Sequence, residues 1–295
     1  MLPIGAGTAL ITPFTEDGAV DYAALARLAA WQVAEGMQFV VACGSTGEAQ
    51  TLTPEERERV VRTVVQAVGG RIPVLAGATD NDTSRAVTEA RRLGGLGVAG
   101  IMSASPYYNK PTQAGLIAHF EAIASAIPVP LLLYNVPGRT GVDLKPETVA
   151  TLARHSNIRG IKEASGNVRR VLDLTARLPS DFVVLCGDDD IVVPAIAAGA
   201  QGLISVAGNA IPHRIADLVA AALRGQQAQA LAEQQRLLPF IDALFVESNP
   251  IPIKAALALL GKANATVRLP LVQCTPPLRE QLRQHLEQLE GVSVG

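Results

Sequence analysis

The chain has 295 residues, of which 48% are hydrophobic and 18% charged, and its formal net charge is -2. So much apolar material with so little charge excludes a disordered or solvating chain. No basic run exceeds pairs such as Arg91-Arg92 and Arg169-Arg170, so a polyanion finds no footprint and nucleic acid is not an expected partner.

The first segment, "MLPIGAGTALITPF", carries no positive leader and is interrupted by Pro13, and no apolar run approaches the roughly 18 residues of a membrane span. A cytoplasmic protein without a membrane partner is expected. Cys43, Cys186 and Cys274 are odd in number and far apart, which suits small buried hydrophobes better than a disulfide framework. His119, His155, His213 and His285 show neither HxH nor HExxH spacing. No metal and no other cofactor is expected.

Eight short apolar runs then follow one another: "TALITPF" from 8, "FVVACGS" from 39, "IPVLAGA" from 72, "VAGIMSAS" from 98, "PLLLYNV" from 130, "IRGIKEAS" from 158, "FVVLCGD" from 182 and "GLISVAG" from 202. Longer stretches of helical period separate them. "DYAALARLAAWQVAEG", "TPEERERVVRTVVQAVGG" and "DTSRAVTEARRLGG" open on Asp or Thr caps and close on glycine. Runs that are apolar on both faces are what parallel strands covered by helices require. Eight such units predict a (β/α)8 barrel, a fold that commonly reaches about 250 residues as one domain. An open doubly wound sheet would call for a glycine fingerprint after the first strand, and "ITPFTEDG" has none. Past residue 225 the pattern is helical, in "QQAQALAEQQRLLPFIDALF", "PIPIKAALALLG" and "PPLREQLRQHLEQLE". The expected organisation is a catalytic barrel over residues 1–224 and a helical appendage over 225–295.

In such barrels the active site lies at the carboxyl ends of the strands, and these ends are unusually polar. The chain has only five lysines, and one of them, Lys162, stands inside the sixth run. A strand-end lysine either snorkels to water or does chemistry. Walled by apolar groups, a neutral amine can attack a ketone and form a Schiff base, whose nitrogen then serves as an electron sink. Adjacent strand ends offer what that chemistry needs. "GSTGE" (44–48) supplies backbone N–H groups and two hydroxyls that suit one carboxylate, Tyr134 supplies a phenol, and Arg139 a planar fork for a second carboxylate. Each has a plain structural alternative: a turn before a helix, a core tyrosine, a solvated loop arginine. Asp188, Asp189 and Asp190 after the seventh run would repel a phosphate, so the expected substrate is not phosphorylated.

In their order and spacing, "GSTGE", "SPYYNKPTQAGLIAHF", "LYNVPGRTGVDL", "GIKEASG" and "GDDD" resemble the dihydrodipicolinate synthase family. That family belongs to the pyruvate-dependent class I aldolases, which include N-acetylneuraminate lyase. The likeness runs from about residue 4 into the C-terminal helices. It implies condensation of pyruvate with L-aspartate 4-semialdehyde in the diaminopimelate route to lysine. It also implies Lys162 as the Schiff-base lysine, Tyr134 as the tyrosine that protonates and positions, and Tyr108 as a tyrosine supplied by a neighbouring subunit. Ser45 would link the two phenols, Thr46 would belong to the carboxylate cradle, Arg139 would bind the semialdehyde carboxylate, and Gly187 and Ile204 would line the pyruvate pocket. A shared relay implies a dimer, usually paired into a homotetramer.

Two departures bear on specificity. Synthases commonly have threonine where Ser45 stands, and serine is frequent among sugar-acid lyases, whereas Arg139 is a mark of the synthases. A related aldolase acting on a 2-keto-3-deoxy sugar acid is therefore the alternative reading, and a non-catalytic keto-acid sensor is another. At the allosteric lysine site, Ala49, Asn81 and Tyr107 fit the feedback-inhibited pattern, but Arg85 replaces a glutamate, and Pro54 and Arg57 stand where histidines would be. A cation at Arg85 would repel the ammonium of an incoming lysine, so weak or absent inhibition is expected.

Overall fold

The eight apolar runs become eight parallel strands: β1 (Gly5–Ala9), β2 (Phe39–Ala42), β3 (Val74–Gly77), β4 (Gly100–Ala104), β5 (Leu131–Asn135), β6 (Ile158–Glu163), β7 (Val183–Cys186) and β8 (Gly202–Ser205). In the computed structural model, which describes residues 1–291, they pair in sequence order and β8 returns to β1, closing a (β/α)8 barrel. Between them lie α1 (Tyr22–Ala34), α2 (Pro54–Val68), α3 (Thr83–Gly94), α4 (Gln113–Ala126), the single turn α5 (Pro137–Thr140), α6 (Pro146–Leu152), α7 (Val168–Arg177) and α8 (Val192–Ala197). After β8 come α9 (Pro212–Leu223), α10 (Gln227–Ala243), α11 (Ile251–Leu259) and α12 (Pro276–Glu290).

The caps read from the sequence do their work. Asp21 accepts from Ala24 N, Asp82 from Ser84 and Arg85 N, and Thr53 forms a reciprocal capping box with Glu56. Each such cap contributes about 1 kcal/mol.

The first strand is the exception, since it runs over Gly5–Ala9 rather than from residue 8 to 14. "GAGTA" lacks the bulky β-formers that mark the other runs, and the reason lies across the ladder. A Cβ at Gly7 would stand 2.2 Å from the Phe39 ring, so the small residues of β1 make room for a large one on β2. Residues 10–14 instead cross the barrel mouth, where Ile11 N is held by the Asn209 side chain and Phe14 bridges to Val20.

Two cores result. Phe39, Leu75, Met102, Leu132, Tyr134, Leu185 and Ile204 pack inside the barrel with Leu2. A larger cluster joins the strands' outer faces to the helices and includes Leu237 and Phe240 of α10 and Leu282 and Leu286 of α12. The C-terminal helices therefore share the barrel's outer core, with α10 packed on α8 and α9. Among the cysteines, Cys43 and Cys186 are buried as expected, whereas Cys274, in the loop before α12, is half-exposed at the edge of the outer core. Among the described residues no helix is long and apolar enough to cross a membrane.

Candidate active site

Lys162 is the fifth residue of β6, and alternation along the strand decides where it points. Ile161 belongs to the outer core, so the next side chain turns into the barrel. Lys162 is only 4% exposed, and its Nζ lies 4.4 Å from the centre of the Tyr134 ring, on the partner residue of the adjoining strand. A lysine that snorkels to water is thus not what the barrel contains. Gly187 completes the fit, because a Cβ there would come within 2.7 Å of Lys162 Cε and 2.6 Å of Ala164 Cβ. Ile204, fully buried, packs in the same inner cluster as Tyr134.

A cavity of about 220 Å³ opens beside this pair and is lined by Ser45, Ala49, Arg57, Tyr107, Tyr134 and Arg139, among others. Ser45 and Thr46 form the crest of a turn in which Gly47 N donates to Gly44 O and Glu48 N to Ser45 O. The backbone N–H groups of Ser45 and Thr46 themselves find no acceptor among the described residues. Two adjacent free donors in a tight turn are what a carboxylate needs. Arg139, in α5, lines the same cavity and donates from Nη2 to Asn249 O at 3.0 Å.

Other expected residues lie apart. Tyr108 is 88% exposed, in the left-handed region at φ +72°, and does not line the cavity of its own chain. Of the four residues assigned to a regulatory site, Ala49 and Tyr107 line the cavity beside Tyr134, whereas Asn81 and Arg85 do not. Arg85 points outward and pairs with Asp82 at 3.9 Å. The three aspartates after β7 also diverge. Asp188 accepts from Gly166 N, and Asp190 is exposed. Asp189 is buried and accepts from Ser205 Oγ and Val206 N. Burial pushes Asp189 up to about 6, opposed by its hydrogen bonds and by the nearby Lys162 charge. Among the described residues no cluster of His, Cys, Asp and Glu could hold a metal ion.

Residues 3–289 match the model of the dihydrodipicolinate synthetase family. The chain belongs to this family. A 4-hydroxy-tetrahydrodipicolinate synthase of Koribacter versatilis is 46% identical over 286 residues, 97% of this chain and 94% of the relative. Among solved structures, a chloride-inhibited dihydrodipicolinate synthase of Acinetobacter baumannii complexed with pyruvate superposes with a TM-score of 0.96 at 39% identity, covering 98% of this chain and 99% of that one. A dihydrodipicolinate synthase of Cyanidioschyzon merolae with lysine bound gives 0.95 at 39% identity, covering 98% and 99%.

Three side chains at this family site escape a reading by strand ends. Asn249 donates from Nδ2 to Thr46 Oγ1 at 2.9 Å and offers its carbonyl to Arg139. Glu48, 3% exposed, forms an ion pair with Lys254, which is fully buried. For Lys254 a signal is present in "PIPIKAALALLG", a lysine in an otherwise apolar helical stretch, where a buried partner is the alternative to exposure.

Proposed function

We propose that the barrel condenses pyruvate with L-aspartate 4-semialdehyde through a Schiff base on Lys162. The observation that carries this reading is a buried lysine against a buried tyrosine at the mouth of a (β/α)8 barrel, beside a turn with two free N–H groups. Family membership supplies the reaction for which the relatives are named.

The roles follow from position. Pyruvate's carboxylate accepts from the Ser45–Thr46 turn, which presents the C2 carbonyl to Lys162 Nζ. Attack forms a carbinolamine; loss of water gives the iminium, whose positive nitrogen makes the methyl protons acidic. One methyl proton passes to the Tyr134 relay and leaves an enamine; its terminal carbon forms the new bond to the aldehyde carbon of the semialdehyde, whose oxygen takes up a proton from the same relay and becomes a hydroxyl. The substrate's own amino group then attacks the iminium carbon, closing the ring and returning Lys162. Tyr134 carries protons to and from the leaving oxygens, linked through Ser45 to Tyr108 of a neighbouring subunit. Arg139 clamps the semialdehyde carboxylate, its guanidinium already oriented by the Asn249 carbonyl. Gly187 and Ile204 line the wall behind the keto acid. The outward Tyr108 supports a dimer as the working unit, and membership of the family is the ground for its pairing into a homotetramer in the cytoplasm.

The test is turnover of both substrates, coupled to a reductase that consumes the cyclic product, beside Arg139→Ala. Wild-type turnover is expected, with the semialdehyde KM of the variant raised about 10- to 100-fold, the loss of a charge-assisted clamp. No wild-type turnover, with pyruvate still trapped by borohydride, would redirect the search to sugar-acid aldehydes. No trapping would favour a keto-acid sensor.

Regulation follows from the same cavity. Ala49 and Tyr107 line the cavity with Arg57, but the motif position of the glutamate carries Arg85, which faces outward beside Asp82, and a cation in place of that anion would not attract lysine's ammonium. L-lysine is expected to inhibit weakly or not at all, leaving the rate unchanged up to about millimolar concentration. A progressive fall in rate below that concentration would refute this.

A further inference from the structure

The turn that holds Ser45 and Thr46 is gripped from below by a segment distant in sequence. Glu48 ends the turn at φ +50°, a conformation a non-glycine residue holds only when its surroundings impose it. Its Oε1 pairs with the Lys254 ammonium and its Oε2 accepts from Arg268 N at 3.0 Å. Lys254 also donates to Thr266 O at 2.9 Å and sits over the Phe14 ring at 3.9 Å. The Arg268 guanidinium stands over the same ring and is fixed by Glu56 through two bonds of 2.7 and 2.8 Å. Thr46 is held by Asn249, which precedes the helix carrying Lys254. Burial pulls Lys254 down to about 8, with Glu48 pulling the other way, so at neutral pH the amine remains the cation of an ion pair.

We infer that Glu48 and Lys254 are positioning residues for substrate binding: their buried pair locks the Ser45–Thr46 turn in the conformation that receives the keto-acid carboxylate. The inference rests on the reading of that turn as the carboxylate cradle. Neither residue touches the reacting atoms. A lock of this kind acts on binding of one substrate, because it leaves Lys162 and Arg139 in place. A pair that served only the barrel's stability would lower the melting temperature and move no Michaelis constant selectively.

The test is the double variant Glu48→Gln with Lys254→Met, which keeps volume and the acceptor for Arg268 N while leaving no uncompensated buried charge. Expected is a pyruvate KM raised about tenfold or more, a semialdehyde KM within about twofold, and complete borohydride trapping once pyruvate saturates. Glu48→Gln alone leaves the buried Lys254 ammonium uncompensated and is the harsher variant for folding; its folded fraction is expected to shift the same constant in the same direction. A folded double variant with an unchanged pyruvate KM, or with both KM values raised alike, would overturn the inference while the function stands. A wild-type protein that traps no pyruvate would overturn the function and the inference together.

Discussion

Lys162→Ala is expected to leave a folded barrel whose turnover is reduced roughly 10⁴-fold or more and which forms no borohydride-stable adduct with pyruvate. The side chain is buried against Tyr134 and beside Gly187, and in the proposed mechanism its Nζ is the atom that becomes the iminium nitrogen. The chain buries a second lysine, which sharpens the test. Lys254 is held by the Glu48 carboxylate and the Thr266 carbonyl. These partners favour its protonated form, so it is expected to compete poorly as a nucleophile. Mass analysis of the trapped wild-type protein should place the adduct on the peptide containing Lys162. An adduct that persisted in Lys162→Ala would transfer the role to another amine and sink the assignment.

The contrast between these two lysines also marks how far the sequence can be read. Lys162 is legible because a strand has period two and "IRGIKEAS" puts a lysine, followed by a glutamate on the opposite face, at the end of a strand among apolar runs. Lys254 sits in a helix that opens on Pro250 and Pro252, and nothing local says that its partner is Glu48 on a distant turn. Asn249 and Thr46 meet from 203 positions apart, a distance that periodicity cannot span. The barrel itself is legible from alternation and caps, which are local, and the family match and closed sheet bear that expectation out. β1 is misplaced because its small residues answer to Phe39 on the next strand, a constraint of packing rather than propensity. Tyr108 is illegible for a different reason: within one chain its phenol faces outward, so only the motif suggests a role.

Tyr134→Phe tests the remaining chemistry. The ring that packs 4.4 Å from Lys162 Nζ stays, and only the hydroxyl is lost, so the melting temperature should barely move. Expected is a fall in kcat of about 10²- to 10⁴-fold, the usual range for a positioned proton donor, with little change in pyruvate KM and slower but complete trapping. An unchanged kcat would remove the phenol from the mechanism. Tyr108→Phe is expected to show the same kinetic defect although Tyr108 lies 88% exposed and outside its own chain's cavity. That combination makes a sharper prediction. If each site draws Tyr134 from one subunit and Tyr108 from its neighbour, unfolding and refolding the two inactive variants together creates mixed dimers. In these, one site carries both substitutions and the other carries neither. Activity should reappear in the mixture and stay absent when either variant is refolded alone. A mixture as inactive as its components would mean that the relay does not cross between subunits.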